Sequence, residues 1–305
     1  MVNTKEYYDS ISSMLLNDDS LYYNGSLLVD IDTNPETFID QDVENIIRIS
    51  NMGTSVLECG CGNGYFFKKL IEKRPDINYT GIDISEIQIN NAKAINSNHS
   101  DSFISTDWHS LPFEDNSFDT ILFLETIGYA KDIDSLLSEC RRVLKPGGTL
   151  FSKHPGCVNS EFYNVYKSDE SLKRISDEYG YESDSLGMMM DIEKFIEKLN
   201  EYNFNVPNGY ILPERDESVY LKSHFIKEVR PLMKTVKYGS LLSVKYPDMW
   251  PKQFTEEELL SELGKKHPEI INLLKSKYFY DESNRNKAEQ MMMMSACVLV
   301  TAIKD

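Results

Sequence analysis

Residues 55–64 read Ser-Val-Leu-Glu-Cys-Gly-Cys-Gly-Asn-Gly, a short apolar run followed by an acid and then three glycines at alternate positions. A buried strand that turns sharply into a helix has this form. Glycine is needed where the backbone takes positive φ or where a ligand lies against the chain. The spacing narrows the choice of ligand. A dinucleotide fingerprint, G-x-G-x-x-G, would place its third glycine at position 65, which here is Tyr65. No Gly-Lys-Ser/Thr phosphate loop stands nearby.

The following segments repeat the pattern of a strand ending in an acid. Residues 78–84, Asn-Tyr-Thr-Gly-Ile-Asp-Ile, predict a second strand with Asp83 at its tip, 25 residues after Glu58. A carboxylate there can accept from two ribose hydroxyls, as in nucleotide folds generally. Residues 102–108 predict a third strand ending in Asp107-Trp108, and residues 118–124 a fourth. Residues 132–144 predict a helix, with Ile133, Leu136, Leu137, Cys140 and Leu144 at three- and four-residue spacing. Lys145-Pro146-Gly147-Gly148 carries the residues that stop it. Thr149–Lys153 then predicts strand five.

The E-x-G-x-G-x-G run and the series LPFEDNSFD…LKPGG resemble the class I S-adenosylmethionine (SAM) methyltransferases of small molecules, over roughly residues 50–155. The resemblance implies a Rossmann-like, doubly wound α/β sheet of seven strands with N-terminal helices and a helical lid insertion. It implies SAM as cofactor, held by Glu58, Gly60, Gly62, Gly64, Asp83, Ile84, Asp107, Trp108 and Phe123. Asp107 would accept from the adenine amine.

Composition limits the partners. The net charge of −17 disfavours polyanions, so a nucleic-acid substrate is not expected, nor attachment to anionic lipid. No run of 18 apolar residues stands in the sequence, so no membrane insertion is expected. The first residues lack the apolar core of a signal peptide. Five scattered cysteines make no disulfide framework, and a cytoplasmic chain is the expectation. Cys59 and Cys61 lack partner ligands, and the histidines show no ligand spacing, so no metal is expected.

The chain divides into an N-terminal helical cap (1–50), a SAM-binding core (51–155), a substrate-binding or lid region with part of the core (156–290), and a last core strand (291–305). The cap has predicted helices near 4–16 and 39–50, with Tyr7, Tyr8, Tyr22 and Tyr23 either lining a substrate mouth or packing as half-buried tyrosines. Residues 188–203 predict a helix with Ile192, Phe195, Ile196 and Leu199 on one face, and 205–212 a sixth strand. About 80 residues then precede the last strand, 295–303, where a minimal fold needs only a short connection. They are rich in aromatics, including Trp250, and suit a lid over a fairly apolar substrate. Met291–Met294 fit core filling better than a pliable pocket wall. Members of this superfamily sometimes exchange N-terminal helices between subunits, which leaves a homo-oligomer open.

The end of strand four, Phe123-Leu124-Glu125-Thr126-Ile127-Gly128-Tyr129, bears on the reaction. It lacks the Asn/Asp-Pro-Pro-aromatic motif of DNA amino-methyltransferases. A glutamate followed four residues later by an aromatic resembles sterol and prenyl C-methyltransferases. There the resemblance implies that Glu125 stabilises a tertiary carbocation and takes its proton, with Tyr129 adding cation–π stabilisation and Tyr22, Tyr23 or Trp250 completing the wall. Glu125 read simply as a cap of the next helix is the plainer alternative. His154 would serve as a base for O- or N-methylation of a small natural product, or orient Glu125. A basic stretch, Lys222–Lys237, would suit a diphosphate or a solvated helix face. A SAM-binding protein without chemistry would need only the glycine loop and the acids at Glu58, Asp83 and Asp107. A protein or tRNA methyltransferase would need an open charged groove.

Overall fold

The structure, a computed structural model, describes residues 4–14, 35–157, 186, 190–209 and 297–305. Two helices come first, α1 (Thr4–Met14) and α2 (Pro35–Ile49). Strand β1 (Ser55–Cys59) leads through the glycine loop into α3 (Tyr65–Lys73), and β2 (Asn78–Asp83) into α4 (Glu86–Ile95). A 3₁₀ segment at Ser97–Ser102 precedes β3 (Phe103–Ser105). Then come β4 (Phe118–Leu124), a 3₁₀ turn at Ile127–Tyr129, α5 (Ile133–Val143) and β5 (Leu144–Cys157). A two-residue strand β6 (Met190–Asp191) leads into α6 (Ile192–Glu201), followed by β7 (Phe204–Asn205) and β8 (Cys297–Lys304).

The sheet runs in the order β3-β2-β1-β4-β5-β8-β7, seven strands with β6 pairing off β5. Strands β1 to β5 are parallel, and β8 lies antiparallel to both β5 and β7. Parallel strands demand cover on both faces, and their side chains supply it by alternation. On one face Val56, Tyr79, Leu122, Phe151 and Leu299 join Val43 and Ile46 of α2, Phe66, Phe67 and Leu70 of α3, and Ile89 and Ala92 of α4 in one apolar core. Their neighbours Leu57, Ile121, Leu150 and Ala302 point the other way and are also fully buried. α5 packs on β5 through a face of Leu136, Leu137, Cys140 and Val143. This is the doubly wound, Rossmann-like sheet with N-terminal helices expected from the sequence.

Helix starts follow side-chain capping. Ser85, Asp132 and Asp191 accept from Gln88, Ser135 and Lys194 N–H at 3.1, 3.0 and 3.2 Å. Several boundaries differ from the sequence reading. The third strand spans only Phe103–Ser105, so Asp107 and Trp108 lie in the turn beyond it. α5 ends at Val143, and Lys145-Pro146-Gly147-Gly148 belongs to β5, which is longer at both ends than Thr149–Lys153. The pairing with β4 shifts register there, and Gly147 takes φ 74°, so these residues bend a strand instead of closing a helix. The helix expected over 188–203 is Ile192–Glu201, preceded by β6, and Ile196 is only half-buried. Of the strand expected over 205–212, the described part is β7 (Phe204–Asn205), because the chain turns at 207–208 and Gly209 takes φ 60°, and 210–212 lie outside the described residues. Tyr22, Tyr23, Trp250, the basic stretch, the methionine run and the aromatic insertion lie outside the described residues.

Among the described residues, no helix is long and apolar enough to cross a membrane, and no group of three or more His, Cys, Asp or Glu could hold a metal ion.

Candidate active site

The parallel strands β1, β2 and β4 end on one side of the sheet, and their tips carry the candidate site, as open α/β sheets place their ligands. The glycine loop is fixed by main-chain bonds: Gly60 and Cys61 N–H donate to Ile82 O at 2.8 and 2.9 Å, and Gly64 N–H to Cys61 O at 3.0 Å. All three glycines have positive φ, at 80°, 54° and 71°. Their surroundings divide them. A Cβ on Gly60 would lie 2.5 Å from Thr126 Cγ2, and one on Gly64 2.8 Å from Asn96 Nδ2. Those two let the β1 loop close onto the β4 tip and onto α4. A Cβ on Gly62 would meet nothing within 4 Å, so this backbone faces open space and offers the cradle a cofactor needs.

Asp83 ties the loop to β2. Its Oδ2 accepts from Gly62 N–H at 3.0 Å and its Oδ1 from Ser85 N–H at 2.9 Å. Burial pushes its carboxyl up to about 6, against the pull of these N–H groups. Beside it Ile84 is 43% exposed, the one large apolar side chain so open among the described residues, and available as a flat apolar wall. Glu58 lies beneath the loop, 3% exposed, and accepts from the Tyr79 hydroxyl. Burial raises its carboxyl to about 8, the Tyr79 hydrogen bond opposes the rise, and the nearby Asp83 charge adds to it. Asp107, in the turn after β3, is exposed and accepts from His109 through one oxygen. Trp108 packs edge-on to Phe123 with ring centroids 5.9 Å apart. The Phe123 side chain is fully buried, so only its main chain can meet a ligand.

The turn after β4 carries two of the proposed reaction residues, Glu125 and Tyr129. Glu125 adopts φ 64°, a left-handed conformation that costs a side-chain-bearing residue ~1–3 kcal/mol. Its N–H donates to Lys153 O at 2.6 Å, and Thr126 Oγ1 donates to Cys59 O at 2.7 Å, so the strained turn is held from β5 and from β1. Tyr129, buried, accepts from the Tyr8 hydroxyl at 2.9 Å, and the two rings meet edge to face at 5.5 Å. α1 reaches the β2 tip as well, where Ser85 Oγ donates to Asp9. His154 lies within β5, not beyond it, and is fully buried in register with Val298. Next to it on the opposite face is a pair the sequence did not reveal: Lys153 Nζ donates to both carboxylate oxygens of Asp42 on α2 at 3.1 and 2.9 Å, with both side chains at 0% exposure. No local signal in the sequence marks this pair, whose members stand 111 residues apart.

The open cradle at Gly62, the apolar wall at Ile84 and the carboxyl groups of Asp83 at the β2 tip and Asp107 in the turn after β3 fit a nucleoside ligand. Fold and site together define a nucleotide-type α/β domain built for such a cofactor. A model described as a methyltransferase domain matches residues 57–152. A sterol 24-C-methyltransferase of Gibberella zeae is 33% identical over 126 residues, 40% of this chain and 32% of that protein. A ubiquinone/menaquinone biosynthesis C-methyltransferase of Rickettsia prowazekii is 35% identical over 135 residues, 40% of this chain and 54% of that one. The chain thus spans about a third to a half of the length of these curated relatives. The cyclopropane synthase MmaA2 from Mycobacterium tuberculosis superposes with a TM-score of 0.61 over 99% of this chain and 97% of that one, at 14% identity, a likeness of fold. The chain carries a class I SAM-dependent methyltransferase domain, and SAM is its cofactor.

Proposed function

We propose that the protein transfers a methyl group to a small, fairly apolar metabolite, in its sharpest form to an alkene carbon of a prenyl or terpenoid chain. Glu125 carries this reading: an ionisable side chain is held in a strained turn at the β4 tip, beside the open glycine loop. The two relatives above are themselves named C-methyltransferases. SAM when bound supplies an electrophilic methyl on a sulfonium, so the protein need not generate the electrophile. The task left to the chain is alignment and charge. Gly62 and Asp83 would hold the nucleoside, with Ile84 against the base and Asp107 at its amine. Attack by the alkene would form the new carbon–carbon bond as the methyl–sulfur bond breaks, releasing S-adenosylhomocysteine and leaving a tertiary cation on the acceptor. Glu125 would stabilise that cation and take the proton whose loss restores a double bond. Tyr129, steadied by Tyr8, would present an aromatic face to the same charge. The buried position of His154 suits support of the β5 tip better than contact with an acceptor.

The test uses the full chain with SAM and a panel of prenyl diphosphates and prenylated aromatics, product mass being the readout. Glu125→Gln is expected to cut turnover by about 10²–10⁴-fold. Calorimetric SAM affinity should stay within about twofold, because the amide is isosteric and lies outside the nucleoside cradle. Turnover near the wild-type rate would refute the alkene mechanism and point to O- or N-methylation.

A further inference from the structure

The turn that follows β3 contains a contact outside the motif residues. His109 holds one oxygen of Asp107 twice: its main-chain N–H donates to Oδ1 at 2.9 Å, and its ring Nδ1 lies 2.7 Å from the same atom. The backbone around the ring is anchored, since Ser135 at the start of α5 donates its hydroxyl to His109 O at 3.3 Å. The ring is flanked by Trp108, with centroids 6.2 Å apart at 76°. The other ring nitrogen, Nε2, is buried with no hydrogen-bond partner among the described residues.

These facts assign the tautomer. An ionised carboxylate only accepts, so Nδ1 carries the hydrogen. The imidazole is therefore an Nδ1–H donor to Asp107 Oδ1. It fixes the carboxylate's orientation and leaves its negative charge in place. With Oδ1 engaged by both His109 groups, Oδ2 is the acceptor that no other described residue uses.

We propose that His109 is a positioning residue for recognition of the cofactor's base: it locks the Asp107 carboxylate so that Oδ2 accepts from a 6-amino purine and repels a 6-oxo purine. This rests on Asp107 as the adenine acceptor, and it adds the residue that sets the selectivity. Asp107 alone, more than half exposed at 55%, would rotate freely and turn either oxygen to water. Held by His109, it presents one acceptor in one place, and the ordering cost is met before the ligand arrives.

Calorimetry on the full chain tests this with S-adenosylhomocysteine and its 6-oxo counterpart, S-inosylhomocysteine. Wild type is expected to prefer the amino compound by at least about 10-fold, the worth of a hydrogen bond to a charged group. His109→Ala should reduce that preference by about 3–10-fold, mainly through weaker binding of the amino compound. His109→Asn, whose amide can donate to the same oxygen, should restore it to within about twofold. A purely structural role would weaken both ligands together and leave the ratio unchanged, and that result overturns the proposal. Loss of the preference without rescue by His109→Asn overturns it too. Asp107→Ala separates the two layers: an unchanged ratio in that variant removes the adenine role of Asp107, and with it the role of His109.

Discussion

Glu58 gives the protein a stability that should decline with pH in a way one substitution removes. In the native chain burial keeps its carboxyl protonated up to about pH 8, whereas an exposed glutamate ionises near its ordinary value of 4.5. Between those values the native state holds a proton that the unfolded state has lost. Stability therefore falls as pH rises, by about 1.4 kcal/mol per pH unit, and the loss reaches ~4 kcal/mol near pH 8. Below the lower value the contribution is complete. Asp83, raised to about 6, adds a slope of the same sign that ends near that pH, so the interval from pH 6 to 8 isolates Glu58. Glu58→Gln has no proton to lose, and its amide oxygen still accepts from Tyr79. Urea unfolding of both chains from pH 5.5 to 8.5 should show a wild-type curve that keeps falling between pH 6 and 8 and a variant that is flat over that interval. The gap at pH 8 should be ~2–4 kcal/mol in favour of glutamine, a gain in Tm of roughly 5–15 °C. Parallel curves between pH 6 and 8 would show that Glu58 is ionised in the native state, and the argument from burial would fail.

Two further substitutions probe the frame of the site. Lys153→Met alone should cost ~3–5 kcal/mol in urea unfolding, because it strands the buried Asp42 carboxylate, while Lys153→Met with Asp42→Leu should recover most of that loss; equal losses in single and double variants would refute the pairing. Gly64→Ala forces a methyl to within 2.8–3.0 Å of Asn96, Phe103 and Ala92 at positive φ and should destabilise by ~2–4 kcal/mol. Gly62→Ala meets only open space and should cost ~1 kcal/mol, yet weaken SAM by about 10-fold or more in calorimetry; unchanged affinity would mean that the cradle lies elsewhere.

Much of the scaffold was legible because its signals are local. Apolar runs ending in acids gave β1, β2 and β4, and three- to four-residue spacing gave α5 to within a residue at each end. What escaped depends on partners distant in sequence. Leu144–Gly148 contains helix-stopping chemistry, but pairing with Phe118 draws it into β5. Strand β6 exists because Met190 and Asp191 meet Gly156 and Cys157, a pairing no local pattern announces. The glycine loop identified the cofactor, but only the packed neighbours of Gly60 and Gly64 show that Gly62 alone faces the opening. Asp42 and Lys153 stand 111 residues apart, and neither looks unusual until α2 is laid across β5.

The place of β8 in the sheet has a consequence for the order of assembly. Residues 149–155 of β5 find their antiparallel partners only at 297–303, about 140 residues after β5 ends. At ribosomal rates of 5–20 residues per second, the free edge of β5 waits on the order of ten seconds for its neighbour. Over that interval a long apolar strand with unpaired N–H and C=O groups is open to pairing with other chains. β1, β2 and β4, which carry the proposed cofactor-binding tips, are already synthesised by then. Ligand bound at those tips this early would stabilise the half-built sheet while the exposed edge awaits closure.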